Sequence, residues 1–145
     1  MKFDTLEDFR DWWLRTRKFR PPVDPLRTYP NATTVVLYRR GQYQVQMVNI
    51  APNTTIREHD HPNIDSYEVT IGGCGDICIW GKTANTLDKT LPRIVSLPSG
   101  CPHGGRTGPE GGTFLSIQKW RNGVAPTCVG VDSGDNTSAF DWIAS

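Results

Sequence analysis

The sequence is poor in the features that assign a function at sight. No apolar run approaches the ~20 residues needed to cross a bilayer. The segment after Met1, KFDTLEDF, lacks the apolar stretch of a secretion signal. The chain is therefore expected to stay in the cytoplasm, with no membrane partner. An excess of one charge is missing too: 16 Lys and Arg stand against 15 Asp and Glu, a formal net charge of +1. No global field then favours nucleic acid, a membrane surface or an acidic partner, and no helix-turn-helix pattern accompanies the basic residues. There is no CxxC pair, so the four cysteines, Cys74, Cys78, Cys101 and Cys128, are expected to be reduced core thiols. Internal repeats and low-complexity tracts are absent. Histidine is the scarcest chemical resource, with three residues, His59, His61 and His103.

What is present suits one compact domain: 145 residues, 37% of them hydrophobic, are enough for a core without disulfide staples. Residues 5–18, TLEDFRDWWLRTRK, read as a helix capped by Thr5, with Asp8 at the N3 position of a capping box. Leu6, Phe9, Trp13 and Thr16 recur at helical spacing, and Trp12 widens the stripe. That face is expected to pack on the body of the protein or on a second subunit. Arg15, Arg17, Lys18 and Arg20 end the helix as dipole compensation, and Pro21 and Pro22 stop it.

Residues 1–32 thus form a helix followed by a proline-rich extended arm. From 33 to about 131 short β-branched runs alternate with Gly, Pro and Asn punctuation: TTVVLYRR, YQVQMVNI, TTIREHDH, SYEVTI, DICIW, RIVSL and TFLSIQKW. The pattern predicts an all-β antiparallel sandwich or barrel. The stretch HGGRTGPEGG at 103–112 is expected to be a mobile glycine-rich loop. Residues 132–145 form a polar tail whose apolar end, Phe140, Trp142 and Ile143, is expected to dock on the barrel or on a partner.

The chemistry concentrates in two places. In a strand, alternate side chains share a face, so Arg57, His59 and His61 lie on one side and Ile56, Glu58 and Asp60 on the other. Two imidazoles so placed can reach one metal ion. Downstream, PSGCPH at 98–103 follows an apolar strand, and its Pro-x-Gly turn aims His103 back at the sheet. Together these stretches resemble the cupin superfamily, whose first motif carries HxH followed by a glutamate and whose second carries Pro-x-Gly-x-x-His. Asn53 stands where the first motif opens with glycine, a mild change because asparagine tolerates the left-handed conformation. Pro92 and Thr107 replace a glycine and an asparagine of the second motif.

The resemblance implies a cupin-type double-stranded β-helix, or jelly-roll barrel, behind the N-terminal amphipathic helix. It also implies a site for one divalent transition metal, Fe, Mn, Zn or Ni, held by His59, His61 and His103. The fourth ligand is left open by spacing. Ser66 fits the motif on both sides, Glu68 fits the downstream glycine, and Asp65 fits a third register. Strand parity favours Glu68, because Tyr67, Val69 and Ile71 form a packing face and Glu68 lies opposite it; the alternatives are Asp65 and a site of three histidines alone. Ligating imidazoles must be neutral, so metal affinity is expected to fall below the ordinary histidine pKa of about 6.5.

Two functional readings follow. In the first, the protein is a metal-dependent enzyme, dioxygenase-like or else an isomerase or lyase, acting on a small carboxylated or hydroxylated compound. Glu68 is then fourth ligand or acid/base, and Arg57 anchors a substrate carboxylate. In the second, it is a non-catalytic cupin, a binding, structural or assembly module, in a homodimer or a larger assembly such as a virus particle. Tyr43, Gln44, Gln46, Gln118 and Trp80 are candidate pocket-wall residues, with core packing the simpler role for Trp80 and Trp120.

Overall fold

The computed structural model describes residues 3–16, 26–79, 82–85, 93–121, 128–130 and 136–137. The end of the basic run, the double proline, Trp80, Pro92 and the apolar C-terminal cluster lie outside the described residues.

The helix α1 spans Leu6–Thr16. Its cap is the one the sequence implies: Asp8 N–H donates to Thr5 Oγ1 at 3.1 Å, which satisfies one of the amides that a first turn leaves without a partner. Leu6, Phe9 and Trp13 are its buried residues. Among the described residues, ten strands follow: β1 (Arg27–Tyr29), β2 (Ala32–Arg40), β3 (Tyr43–Ile50), β4 (Thr55–Asp60), β5 (Ile64–Ile79), β6 (Lys82–Asn85), β7 (Arg93–Leu97), β8 (His103–Trp120), β9 (Cys128–Gly130) and β10 (Asn136–Thr137). All described pairings are antiparallel, in the order β1-β2-β3-β8-β4-β9-β10, with β5 pairing β6, β7 and β8. The proline-rich arm is thus not simply extended chain, since Arg27–Tyr29 joins β2 as an edge strand.

Two elements are longer than their sequence runs suggest. SYEVTI and the DICI of DICIW belong to the single strand β5, and HGGRTGPEGG is not a separate loop but the first half of β8. Glycine makes the second possible by allowing close backbone approach. A Cβ on Gly104 would come within 2.7 Å of Ile56 O, and one on Gly111, at φ +74°, within 2.5 Å of Ile50 O. Register shifts between Thr70 and Gly72 and between Gly73 and Gly75 interrupt the pairing of β5 with β8.

The helix covers one face of this sheet. Leu6, Phe9 and Trp13 pack with Tyr38, Tyr43, Val45, Val69 and Ile117, and Phe3, Tyr67 and Leu115 lean on the cluster. A second, smaller cluster of Ala32, Val48 and Ile50 closes the other end with Ile56 and Phe114. Among the described residues, no helix is long and apolar enough to cross a membrane.

Candidate metal centre

β4 and the start of β8 run side by side with His59 opposite His103. This pairing brings together residues far apart in sequence. The turn before β8 is tied to the end of the His59–His61 stretch: Gly100, at φ +74°, donates its N–H to His61 O at 3.1 Å, and Cys101 N–H donates to Pro98 O at 3.0 Å. Both histidine motifs are therefore locked to each other by backbone hydrogen bonds, independently of any ligand. Asn53 adopts φ +53°, the left-handed conformation expected of it in place of glycine.

The three imidazoles converge. Ring centroids lie 4.4 Å apart for His59 and His103, 5.0 Å for His59 and His61, and 5.2 Å for His61 and His103. One nitrogen from each lies within 4.8 Å of the others. The tautomers follow from the partners. His59 Nδ1 sits 2.7 Å from Arg57 O and His103 Nδ1 sits 2.9 Å from Cys101 O; a carbonyl oxygen can only accept, so each Nδ1 carries the proton and donates it. Each Nε2 is left with its lone pair, and each ring is fixed in orientation, as a metal-binding histidine requires. His59 is buried while His61 and His103 are half-exposed, so the cluster has a closed and an open side.

Electrostatics agree with this geometry. Burial holds His59 below the usual histidine value, against the opposing effects of the Arg57 carbonyl and Asp60. Burial, followed by the neighbouring His59 and His61, pushes His103 down to about 3. Both shifts favour the neutral form of the ring, the form that binds a metal. The residues present thus fit a divalent transition metal.

The carboxylates fare differently. No acidic side chain joins the histidine group among the described residues. Asp65 is spent elsewhere: it accepts from Ser99 N–H at 2.9 Å and from Arg121 at 3.0 and 3.2 Å, an arrangement that staples the turn between β7 and β8. Burial would raise its pKa, but the Arg121 guanidinium and the Ser99 amide hold it below the usual value. Glu68 lies on β5, opposite Ser116 of β8. Its Oε1 accepts hydroxyl protons from Ser66 and Ser116, both at 2.9 Å, while its Oε2 is enclosed with no hydrogen-bond partner. Burial raises this carboxyl to about 7, against the lowering effect of the two hydroxyls.

Arg57 is exposed while His59 is buried. The shared face expected of them does not hold, because a register shift between Ile56 and His59 interrupts the alternation. Gln44 and Gln118 are buried, and Gln44 Nε2 donates to Gln118 Oε1 at 3.1 Å. Tyr43, in contrast, packs under the helix. Thr107 ties β8 to the segment before β4: its hydroxyl donates to Ala51 O at 2.6 Å and accepts from Thr54 N–H at 2.9 Å. Ser66, which fits the motif spacing on both sides, is thus a hydrogen-bond partner of Glu68, whereas Ser116 is not singled out by the motif.

No protein-family model matches the chain, and no curated protein matches it. Solved structures do. KdgF from a Halomonas species superposes with a TM-score of 0.60 at 11% identity, covering 68% of this chain and 88% of that one. A cupin-2 domain from Rhodospirillum rubrum gives 0.54 at 15% identity, with 70% and 66% covered. Salicylate 1,2-dioxygenase from Pseudoaminobacter salicylatoxidans, as an adduct with gentisate, gives 0.53 at 12% identity over 66% of this chain, which spans 26% of that enzyme.

Proposed function

We propose that this chain, which carries the cupin jelly-roll fold, is a metal-dependent enzyme that holds one divalent transition metal on His59, His61 and His103. In this reading it acts on a small carboxylated or hydroxylated compound, in the manner of a dioxygenase. The observation that carries the reading is the orientation of the histidines: with Nδ1 of His59 and His103 committed to backbone carbonyls, their Nε2 lone pairs are free to converge on one ion. The salicylate 1,2-dioxygenase of like fold gives the reaction class its precedent.

A metal bound at three imidazoles supplies a Lewis acid with open positions, or a dioxygen-binding centre if it is iron. The chain's own residues do the rest. The backbone carbonyls of Arg57 and Cys101 hold the rings in place, so that little reorganisation accompanies binding. The half-exposed side at His61 and His103 admits the substrate. Glu68, near neutrality in its proton affinity, is the group positioned to hold or release a proton in the barrel interior. Arg57, exposed two residues before His59 on β4, is the proposed contact for a substrate carboxylate at the rim.

The test is metal analysis of the purified protein, followed by oxygen uptake with a panel of small acids that includes salicylate and gentisate. Stoichiometric metal in the wild type, lost in His61→Ala with circular dichroism unchanged, is the expected result. A protein that keeps its fold and takes up no metal would overturn the reading. The alternative, a non-catalytic binding, structural or assembly module, has lost one of its supports, because the aromatic face of α1 is buried on the protein's own sheet. Self-association as a homodimer or larger assembly remains part of both proposals and is measured by sedimentation.

A further inference from the structure

The buried polar groups on the inner face of β3, β5 and β8 are joined in one line, and the line has a direction. Arg39 Nε donates to Gln44 Oε1 at 2.9 Å. Gln44 Nε2 donates to Gln118 Oε1 at 3.1 Å, and the same oxygen accepts from Trp120 Nε1 at 3.0 Å. Gln118 Nε2 donates to Ser116 Oγ at 2.9 Å, and Ser116 Oγ donates to Glu68 Oε1 at 2.9 Å. The polarity is forced by chemistry. A guanidinium and an indole can only donate, so Gln44 and Gln118 must present their carbonyl oxygens to Arg39 and Trp120 and their amide protons to the next member. Ser116, already accepting from Gln118, turns its one proton to Glu68.

We propose that Ser116 and Gln118 are positioning residues for Glu68: the chain that starts at Arg39 fixes Glu68 Oε1 as a permanent acceptor and leaves Oε2 as the oxygen that exchanges the proton. The inference rests on the reading of Glu68 as the proton-holding group of the site, and it goes further in assigning which oxygen works and which residues set its strength. Oε1 receives two hydroxyl protons, which makes it the poorer site for a third. Oε2 receives none and is enclosed. A buried polar atom without a partner is costly and uncommon in a folded protein, and protonation of Oε2 removes its charge.

The groups around the carboxyl are few. Ser66 stands beside it on β5, Ser116 opposite it on β8 and Val95 opposite it on β7, with Gln46 across from Ser116 on β3. Among the described residues, burial and the two serine hydroxyls set its proton affinity, and no charged side chain contributes directly. Arg39 is joined to Glu68 through the polarised chain, in which each donor strengthens the next.

The experiment is a pH titration of the metal-free protein carrying 13C at the glutamate carboxyl carbon, with the Glu68 resonance assigned by its absence in Glu68→Gln. Loss of a hydrogen bond to the charged form raises the midpoint. Ser116→Ala is expected to move it up by about one to two units, Gln118→Met by less, and Arg39→Met, at the exposed end where folding is not at stake, by least. Ser116→Thr, which keeps the hydroxyl, is expected to restore the wild-type midpoint. An unmoved midpoint in Ser116→Ala, or a folded Ser116→Thr that fails to restore it, overturns the proposal. The pH profile of activity, recorded separately, tests the role of Glu68 itself: a resonance that shifts while the profile stays put refutes that role and leaves the chain established.

Discussion

The two faces of strands β3, β5 and β8 are made of alternating residues of the same segments, yet they do opposite things. On the outer face Tyr43, Val45, Val69 and Ile117 are buried under Phe9 and Trp13. On the inner face Gln44, Ser66, Ser116 and Gln118 are also buried, at 3% to 5% exposure, and bond to one another and to Glu68. Equal burial has different consequences. Apolar area removed from water stabilises the fold directly, whereas buried polar groups roughly break even when satisfied and cost free energy when not. The difference teaches where this protein keeps its stability and where it keeps its capacity for chemistry.

The largest effect should come from the outer face. Phe9 is fully buried and stacks or tilts against Phe3, Trp12, Tyr38 and Tyr43 at ring separations of 5.0 to 6.2 Å. Phe9→Ala is expected to cost about 3–5 kcal/mol in denaturant unfolding, with metal binding at the histidines unchanged in the folded fraction. Loss of metal in a variant that is still folded would break the division between the faces.

The inner face should show itself in pH dependence. The Glu68 carboxyl is raised from 4.5 to about 7 by burial, so between those values the folded protein holds a proton that the unfolded chain has released. Stability from this group is therefore complete below about 4.5 and declines as pH rises to about 7, a change of about 3 kcal/mol. Glu68→Gln, which mimics the neutral acid, is expected to abolish that slope in urea titrations of the metal-free protein. His103 acts in the opposite sense: with its value pushed down from 6.5 to about 3, it contributes stability that is present above 6.5 and lost as pH falls through that window. The two windows overlap, so in the metal-free protein the opposing slopes largely cancel between about 4.5 and 6.5; His103→Asn should remove the loss below about 4.5 and uncover the Glu68 slope above it.

A smaller effect belongs to the tie between β8 and the segment before β4. Thr107→Val keeps the shape but removes the hydroxyl that joins Ala51 O to Thr54 N–H. Two backbone groups then lose a partner, for an expected cost of about 1–3 kcal/mol. A nuclear magnetic resonance spectrum should show the disturbance confined to residues 51–54 and 107, with the His59 and His103 rings unmoved.

Much of this was legible before the fold. HxH and PxGxxH named all three converging histidines because their spacing encodes backbone geometry, and Asn53 revealed its left-handed turn by being asparagine. Parity put Glu68 opposite the face of Tyr67 and Val69, as the pairings have it, but Ile71, expected on the same packing face, is exposed. Parity failed at Arg57, because a bulge is a local slip of register that leaves no mark in the alternation itself. The extent of β5 and β8 was hidden because glycine reads as punctuation, while at Gly104 and Gly111 it serves close approach of two backbones. The partners of Glu68 were hidden for a different reason. Ser66 is two residues away, but Ser116, and Gln118 that donates to it, lie 48 and 50 positions further along the chain, and only the pairing register brings Ser116 opposite Glu68.

The smallest expected effect marks the limit of the comparison, because it concerns charge at the surface. Asp65 and Arg121 form a two-pronged ion pair at 3.0 and 3.2 Å, but the Arg121 side chain is 57% exposed. Water screens such a pair, so Arg121→Ala should change stability by no more than about 0–1 kcal/mol, and less at high salt. Asp65 has a second duty, accepting from Ser99 N–H in the turn that precedes His103. Asp65→Ala is therefore expected to cost more than Arg121→Ala and to weaken metal retention slightly by loosening that turn. Equal effects of the two variants, measured by urea unfolding and metal titration, would show that the turn is held by Gly100 and His61 alone, and that the histidine centre owes nothing to the charged rim.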